Sequence, residues 1–333
     1  MPETPPLLDS YGRPHADLRI SVTDRCNIRC FYCMPNEHVI FQERSMLLTF
    51  EEIERFVKVA AKLGIRKLRL TGGEPLVRRE LPVLIEKLAK IETIEDIALT
   101  TNGLLLSRYA QALKDAGLHR LNISLDALSA EKFERITRRK GFRQVLDGIH
   151  TAQAIGFEKI KINAVAIAGL SEEEIVPFGH FAREQGLEVR FIEFMPLDAE
   201  QNWQSNQVLS GEKIITMLSE AILPLVPCPR PDPSQPATDY QFEDGRGRIG
   251  FINPVTQPFC STCNRLRITA EGQIRNCLFS QEEWDARSLM RKGGTDQELS
   301  ELIRACVLAK KAGHGIHSED FHRPARAMYQ IGG

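Results

Sequence analysis

Between residues 18 and 195 the chain alternates short apolar runs with longer stretches in which apolar residues recur every three to four positions. The short runs predict strands at Leu18–Val22, Lys67–Thr71, Asp96–Thr100, Arg120–Leu125, Lys159–Val165 and Glu188–Phe194. The longer stretches predict helices near 50–63, 80–90, 105–116, 142–155 and 171–185. Gly64, Gly117, Gly156 and Gly186 stand just past four of these helices, where a left-handed residue closes the last turn. Repeated β–α units imply a parallel sheet with right-handed crossovers. Eight would close a barrel, so six predict an open (βα)6 partial TIM barrel in the α/β class. A doubly wound open sheet is the rival architecture.

After Phe194 the rhythm stops. Six prolines between 224 and 236 exclude a helix or a central strand there. A Cys-rich hairpin region follows at about 248–279, then helices near 281–291 and 296–311. The divisions expected are a flexible leader over 1–17, a partial barrel over 18–195 and a C-terminal region over 196–333.

Strand periodicity carries the first chemical argument. Alternate residues of a strand share a face, so Arg19 pairs with Ser21 and Arg69 with Thr71. Asn122, Ser124 and Asp126 also fall together, as do Lys161 with Asn163 and Glu193 with Met195. Parallel strands covered on both faces should be almost wholly apolar. Five polar faces therefore predict an open barrel lined for a large polar ligand. Arg19, Arg69 and Lys161 make that lining cationic and suited to an anion such as a phosphate chain.

Composition narrows the class. The chain has 333 residues, 43 basic and 44 acidic side chains and a formal charge of −1, without the basic excess of a nucleic-acid coat or a membrane-surface protein. No apolar run approaches the roughly 20 residues of a membrane helix. The Pro-rich start, Met1–Arg13, lacks the apolar core of a signal peptide. Of eight cysteines, three lie at 26, 30 and 33 and three at 260, 263 and 277. Without a secretory signal, such triplets point to metal in a reducing cytosol rather than to disulfides. Cys306 reads as a small core residue, and Cys228 has no evident role.

Cys26, Cys30 and Cys33 follow directly on the first strand. Structural zinc wants four closed ligands, and only His38 stands near as a fourth. Three thiolates on a 4Fe–4S cluster leave one iron open for chemistry. In the second group, a three-residue turn at Ala270-Glu271-Gly272 sets Thr269 opposite Gln273 and Arg265 opposite Cys277. Cys263, Arg265, Arg267 and Cys277 then share one face, so three thiolates and two guanidiniums form one site. A zinc knuckle with solvated arginines is the rival reading. Arg138-Arg139-Lys140 reads as a solvated loop, and His314 with His317 lacks further metal ligands.

The Cys-x3-Cys-x2-Cys spacing, the aromatic Tyr32 and the turn Gly72-Gly73-Glu74-Pro75 after strand two resemble the radical S-adenosylmethionine superfamily. That resemblance implies a cluster whose open iron chelates S-adenosylmethionine, which is split to a 5′-deoxyadenosyl radical. A narrower resemblance rests on Leu18-Arg-Ile-Ser-Val-Thr-Asp-Arg-Cys-Asn, Arg69-Leu-Thr-Gly-Gly-Glu-Pro, Thr100-Thr-Asn-Gly, Asn122-Ile-Ser-Leu-Asp, Lys161-Ile-Asn, Cys263-Asn-Arg-Leu-Arg and the Gly332-Gly333 end. Together these resemble the GTP 3′,8-cyclases (MoaA-type) of molybdenum-cofactor biosynthesis. The resemblance implies two 4Fe–4S clusters, the second on Cys260, Cys263 and Cys277. It implies GTP contacts at Arg19, Arg69, Thr100, Lys161, Arg265 and Arg267, and S-adenosylmethionine contacts at Tyr32, Gly73, Ser124 and Met195. It also implies a tail, Gly332-Gly333, that assists turnover inside the site. The expected partners are a reductant such as flavodoxin or ferredoxin, a second copy in a homodimer, and the cyclic pyranopterin monophosphate synthase that takes the product. Another radical enzyme with an auxiliary cluster and a non-catalytic zinc protein are the alternatives.

Overall fold

The computed structural model describes residues 6–197 and 202–332. Six parallel strands run through the first part: β1 (Asp17–Ser21), β2 (Lys67–Thr71), β3 (Asp96–Thr101), β4 (Arg120–Ser124), β5 (Ile160–Ala166) and β6 (Glu188–Glu193). They are joined by α1 (Phe50–Lys62), α2 (Leu81–Ala89), α3 (Leu106–Asp115), α4 (Ala130–Thr137), α5 (Phe142–Ala154) and α6 (Glu172–Gln185). The spatial order β1-β2-β3-β4-β5-β6 follows the chain without a reversal. A doubly wound sheet would reverse at a switch point. Consecutive right-handed crossovers instead leave every helix on one face, and the sheet curls around the other.

Local chemistry explains the elements. α1 starts at Thr49, whose side chain accepts from the Glu52 N–H while Glu52 reaches back to the Thr49 N–H. Its Ile53, Phe56, Val57 and Ala60 then face the sheet. α4 was not expected from the apolar pattern. It spans only eight residues, is capped by Ser129, and stops where Arg138 turns left-handed with φ 54°.

The C-terminal third extends the same sheet at both edges. After α7 (Gly211–Ala221) come β7 (Leu225–Pro227), β8 (Thr238–Phe242) and β9 (Arg248–Ile252), and β9 pairs parallel with β6. Then β10 (Arg265–Ile268) pairs parallel with β1, while β11 (Gln273–Arg275) and β12 (Trp284–Asp285) continue antiparallel. Within the proline run the only strand among the described residues is β7, on the outermost edge, where a missing N–H costs no ladder bond, in keeping with the exclusion of a central strand. The helix expected at 281–291 begins only at Ala286, because Trp284–Asp285 pair with β11 and Asp285 caps α8 (Ala286–Arg291). α9 (Asp296–Leu308) buries Leu299, Ile303 and Cys306, and α10 (Met328–Ile331) is a short last turn.

The leader expected to be flexible is packed from Leu7 onward. Leu7, Asp9, Arg13 and His15 are all buried. Arg13 Nε donates to Asp9 Oδ2 at 2.6 Å, and its Nη groups donate to the carbonyls of Cys260, Lys311 and Ala312 at 2.7–2.9 Å. A charged fork with four acceptors fixes a segment whose composition alone suggests disorder.

Candidate active site

The first cysteine triplet sits on the loop leaving β1, locked to the loop leaving β2. The Gly73 N–H donates to Thr23 O at 2.7 Å and the Glu74 N–H to Arg25 O at 2.8 Å. A Cβ on Gly73 would stand 2.4 Å from Arg25 O, so these backbones close only because residue 73 has no side chain. The Glu74 carboxylate then accepts the Asn102 N–H at 2.7 Å, the Thr101 hydroxyl at 2.7 Å and the Leu76 N–H at 2.9 Å. Asn102 Nδ2 in turn lies 3.8 Å from Cys26 Sγ. The ends of three strands thereby hold one thiol. The Tyr32 hydroxyl donates to Asp126 Oδ2 at 2.6 Å, and Asp126 Oδ1 accepts the Val165 N–H, carrying the clamp on to β5.

Burial pushes the Cys26 thiol to about 11 and the Cys33 thiol to about 12, with the nearby acids and thiols adding to the rise. Cys30 is pushed well above its usual value by burial, Asp126 and the other two thiols. Burial thus disfavours the thiolate form of all three.

In the second triplet burial again raises Cys260, but Cys263 goes the other way. Arg267 pairs with Arg275 and Ile268 with Ile274, which puts Arg265 and Cys277 at opposing positions of the β10–β11 hairpin. Gly272 takes φ +85° in the three-residue turn, as the spacing predicts. Cys260, Cys263, Cys277, Arg265 and Arg267 all line one cavity of about 550 Å³. Burial works against the Cys263 thiolate, but Arg265 and Lys310 outweigh it and bring that thiol to about 6. Arg265 Nη2 lies 3.2 Å from Cys263 Sγ and its guanidinium stacks over the Phe259 ring. The donor set at both triplets is soft sulfur, as an iron–sulfur cluster requires.

The same cavity is lined by Cys30, Cys33, Tyr32, Gly73, Ser124 and Met195 from the first group, and by Arg19, Arg69 and Thr100. Arg19 stands in register with Arg69 on one side and Arg267 on the other. Among the described residues, the Nε atoms of Arg19, Arg69, Arg265 and Arg267 are buried without a hydrogen-bond partner, as is Thr100 Oγ1. Burial and the neighbouring guanidiniums push Arg19 far below its usual value. Burial brings Arg69 and Arg267 to about 10. Cations crowded out of water in this way fit a polyanionic ligand.

Two expectations change. Lys161 is held by Glu188 on the next strand at 2.9 Å and does not line the cavity, whereas Arg190, which shares Glu188, does. On β6 the inward face is the other one. Arg190 and Ile192 line the cavity, while Glu193 turns away to accept the Val255 and Thr256 N–H groups at 2.9 Å. Met195 still reaches the cavity because it lies past the strand end, where the period of two no longer applies. His314 and His317 are spent on the carbonyls of Pro254 and Val255. Arg138 donates to Pro35 O, and Arg139 pairs with Glu37.

The tail comes back over the strand ends. Gly332 is buried with φ +80°, and a Cβ there would lie 2.7 Å from both Ser21 Cβ and Thr71 Oγ1. Gly333 lies outside the described residues.

The sequence profile of the Radical SAM superfamily matches residues 20–182, and that of Molybdenum Cofactor Synthesis C matches residues 187–316. The GTP 3′,8-cyclase of Rhodopirellula baltica is 53% identical over 330 residues, covering 98% of this chain and 92% of that one. The chain belongs to the GTP 3′,8-cyclase family. A second member, from Mycolicibacterium smegmatis, is 45% identical over 100% of this chain and 93% of its own. In fold, the chain is similar to Streptococcus suis SuiB bound to S-adenosylmethionine, with a TM-score of 0.62 and 15% identity over 87% of this chain and 68% of that one. GTP 3′,8-cyclases are radical S-adenosylmethionine enzymes with 4Fe–4S clusters.

Proposed function

We propose that this chain converts GTP to (8S)-3′,8-cyclo-7,8-dihydroguanosine 5′-triphosphate, the first step of molybdenum-cofactor biosynthesis. One observation carries the reading: four buried guanidinium Nε–H groups with no partner among the described residues lie beside the second triplet in the cavity that also reaches the first. When bound, the first cluster and S-adenosylmethionine supply a radical that can take hydrogen from the ribose. The chain's own residues do the rest. Arg19, Arg69, Arg265 and Arg267 hold the triphosphate and the nucleoside, with Thr100 beside them in the same lining. Cys26, Cys30 and Cys33 hold one cluster and Cys260, Cys263 and Cys277 the other. Tyr32, Gly73, Ser124 and Met195 contact S-adenosylmethionine. Enclosure keeps water from a reactive centre, and fixed geometry sets C3′ against C8.

The wider setting is part of the proposal. The chain works in the cytoplasm as a homodimer, receives electrons from a flavodoxin or ferredoxin, and passes its product to the cyclic pyranopterin monophosphate synthase. No helix among the described residues is long and apolar enough to cross a membrane. Anaerobic incubation with GTP, S-adenosylmethionine and dithionite tests the activity. The expected result is 5′-deoxyadenosine formed together with cyclised GTP. A colourless, iron-free protein that forms neither would overturn the reading.

A further inference from the structure

Lys310 is a buried lysine just past the end of α9, its N–H bonded to Val307 O at 3.0 Å. Its Nζ lies 3.4 Å from Cys263 Sγ, 3.3 Å from Cys263 O and 2.9 Å from Arg265 O. An ammonium has three N–H groups, and these three acceptors account for all of them. Although Lys310 borders the cavity, it keeps no donor for a substrate. Arg265, which also reaches Cys263 Sγ, still has its Nε free.

Neighbouring contacts fix the lysine in place. Arg13 donates to the carbonyls of Lys311 and Ala312 on one side and of Cys260 on the other. Arg13 is aimed by Asp9, which also accepts the N–H groups of Tyr11 and Arg13 and lies 3.2 Å from His15 Nε2. Asn276, next to Cys277, donates to Cys306 O in α9 at 2.8 Å. The loop bearing Lys310 and the segments bearing all three cysteines are thus tied together.

We propose that Lys310 is a positioning residue for the second cluster that raises its reduction potential by donating to Cys263 Sγ, with the Asp9–Arg13 clamp holding it in register. Reduction adds negative charge to a cluster. A cationic N–H donor on a ligating sulfur, in a site shielded from water, stabilises the reduced state more than the oxidised one. The inference rests on the assignment of that cluster to Cys260, Cys263 and Cys277.

The test is an anaerobic redox titration of the fully loaded enzyme, followed by electron paramagnetic resonance with S-adenosylmethionine present. Two waves are expected, and Cys277→Ser identifies the second by removing it. Lys310→Met should lower that wave so that the reduced-to-oxidised ratio at fixed potential falls at least tenfold, about 59 mV for one electron. The first wave and the KM for GTP should stay in place, and Lys310→Arg should restore most of the shift. If Lys310→Met does not load the second cluster, Lys310→Gln is titrated instead, since it keeps an N–H donor and loses only the charge. A downward shift smaller than that expected for Lys310→Met supports the proposal. An unmoved second wave in a fully loaded Met or Gln variant overturns it. A second wave that survives Cys277→Ser would instead sink the cluster assignment itself.

Discussion

At the scale of single residues, the site is defined by charges that the fold leaves unpaired. Arg267 is 2% exposed, flanked by Arg19 on the adjoining strand, and its Nε has no partner among the described residues. Leaving a buried charge unpaired costs several kcal/mol, which a triphosphate would offset. Arg267→Ala should therefore weaken GTP binding by about 1.5–3 kcal/mol, the range for a hydrogen bond to a charged group. S-Adenosylmethionine affinity should hardly change, and isothermal titration of both ligands checks this. Equal losses would mean that the hairpin has collapsed. The two triplets should also separate. Cys26→Ser should abolish cleavage of S-adenosylmethionine, whereas Cys277→Ser should spare slow cleavage and lose cyclised GTP. Loss of cleavage in both folded, clustered variants would contradict that division. Most of these residues were legible because period-two faces and cysteine spacing are local signals. Arg190 was not legible: β6 carries polar residues on both faces, and only the Val255–Thr256 backbone shows why Glu193 turns outward.

Among elements, the β10–β11 hairpin was the most legible, because a three-residue turn with a left-handed glycine leaves one register for the flanking cysteines. The tail was legible only through family resemblance, since terminal glycines otherwise read as a frayed end. The structure gives it a physical setting. α10 brings the Tyr329 N–H to the Cys33 thiol, and Gly332 then lies against Ser21 and Thr71. At φ +80° and with 2.7 Å to two side chains, an alanine at 332 is both strained and obstructed. Removing Gly332 and Gly333 should leave iron content and Tm nearly unchanged. Cyclised product should fall more than tenfold, over about 1.4 kcal/mol of barrier. A truncated enzyme that cyclises GTP normally would show that the tail only fills space.

Over the whole molecule, strand order was legible and edge pairing was not. Apolar periodicity marks β1 to β6, but nothing local says that β10 joins β1 or that β9 joins β6; those pairings depend on contacts distant in sequence. The packed N-terminal segment escaped for the same reason, since Arg13 finds its acceptors near residues 260 and 311. That packing carries a pH signature. His15 is 1% exposed, with Asp9 and Arg13 on its own segment and Lys310 facing it from beyond α9. Burial lowers its pKa to about 4, and Lys310 and Arg13 add to that, against the opposing pull of Asp9. In the unfolded chain the imidazole titrates near 6.5. Between these values the unfolded state binds the extra proton, so the stability His15 lends is complete above pH 6.5 and drains away as pH falls towards 4. At pH 5 the loss should be on the order of 2 kcal/mol relative to pH 7.5. His15→Asn removes the titrating group, so its stability should fall less over the same range. Urea unfolding of both proteins at pH 7.5 and 5 measures the difference between their pH dependences, in which the acid sensitivity of the clusters cancels. Identical pH dependences would mean that His15 stays neutral or charged alike in both states, and that the segment is not buried in solution as it is in the fold.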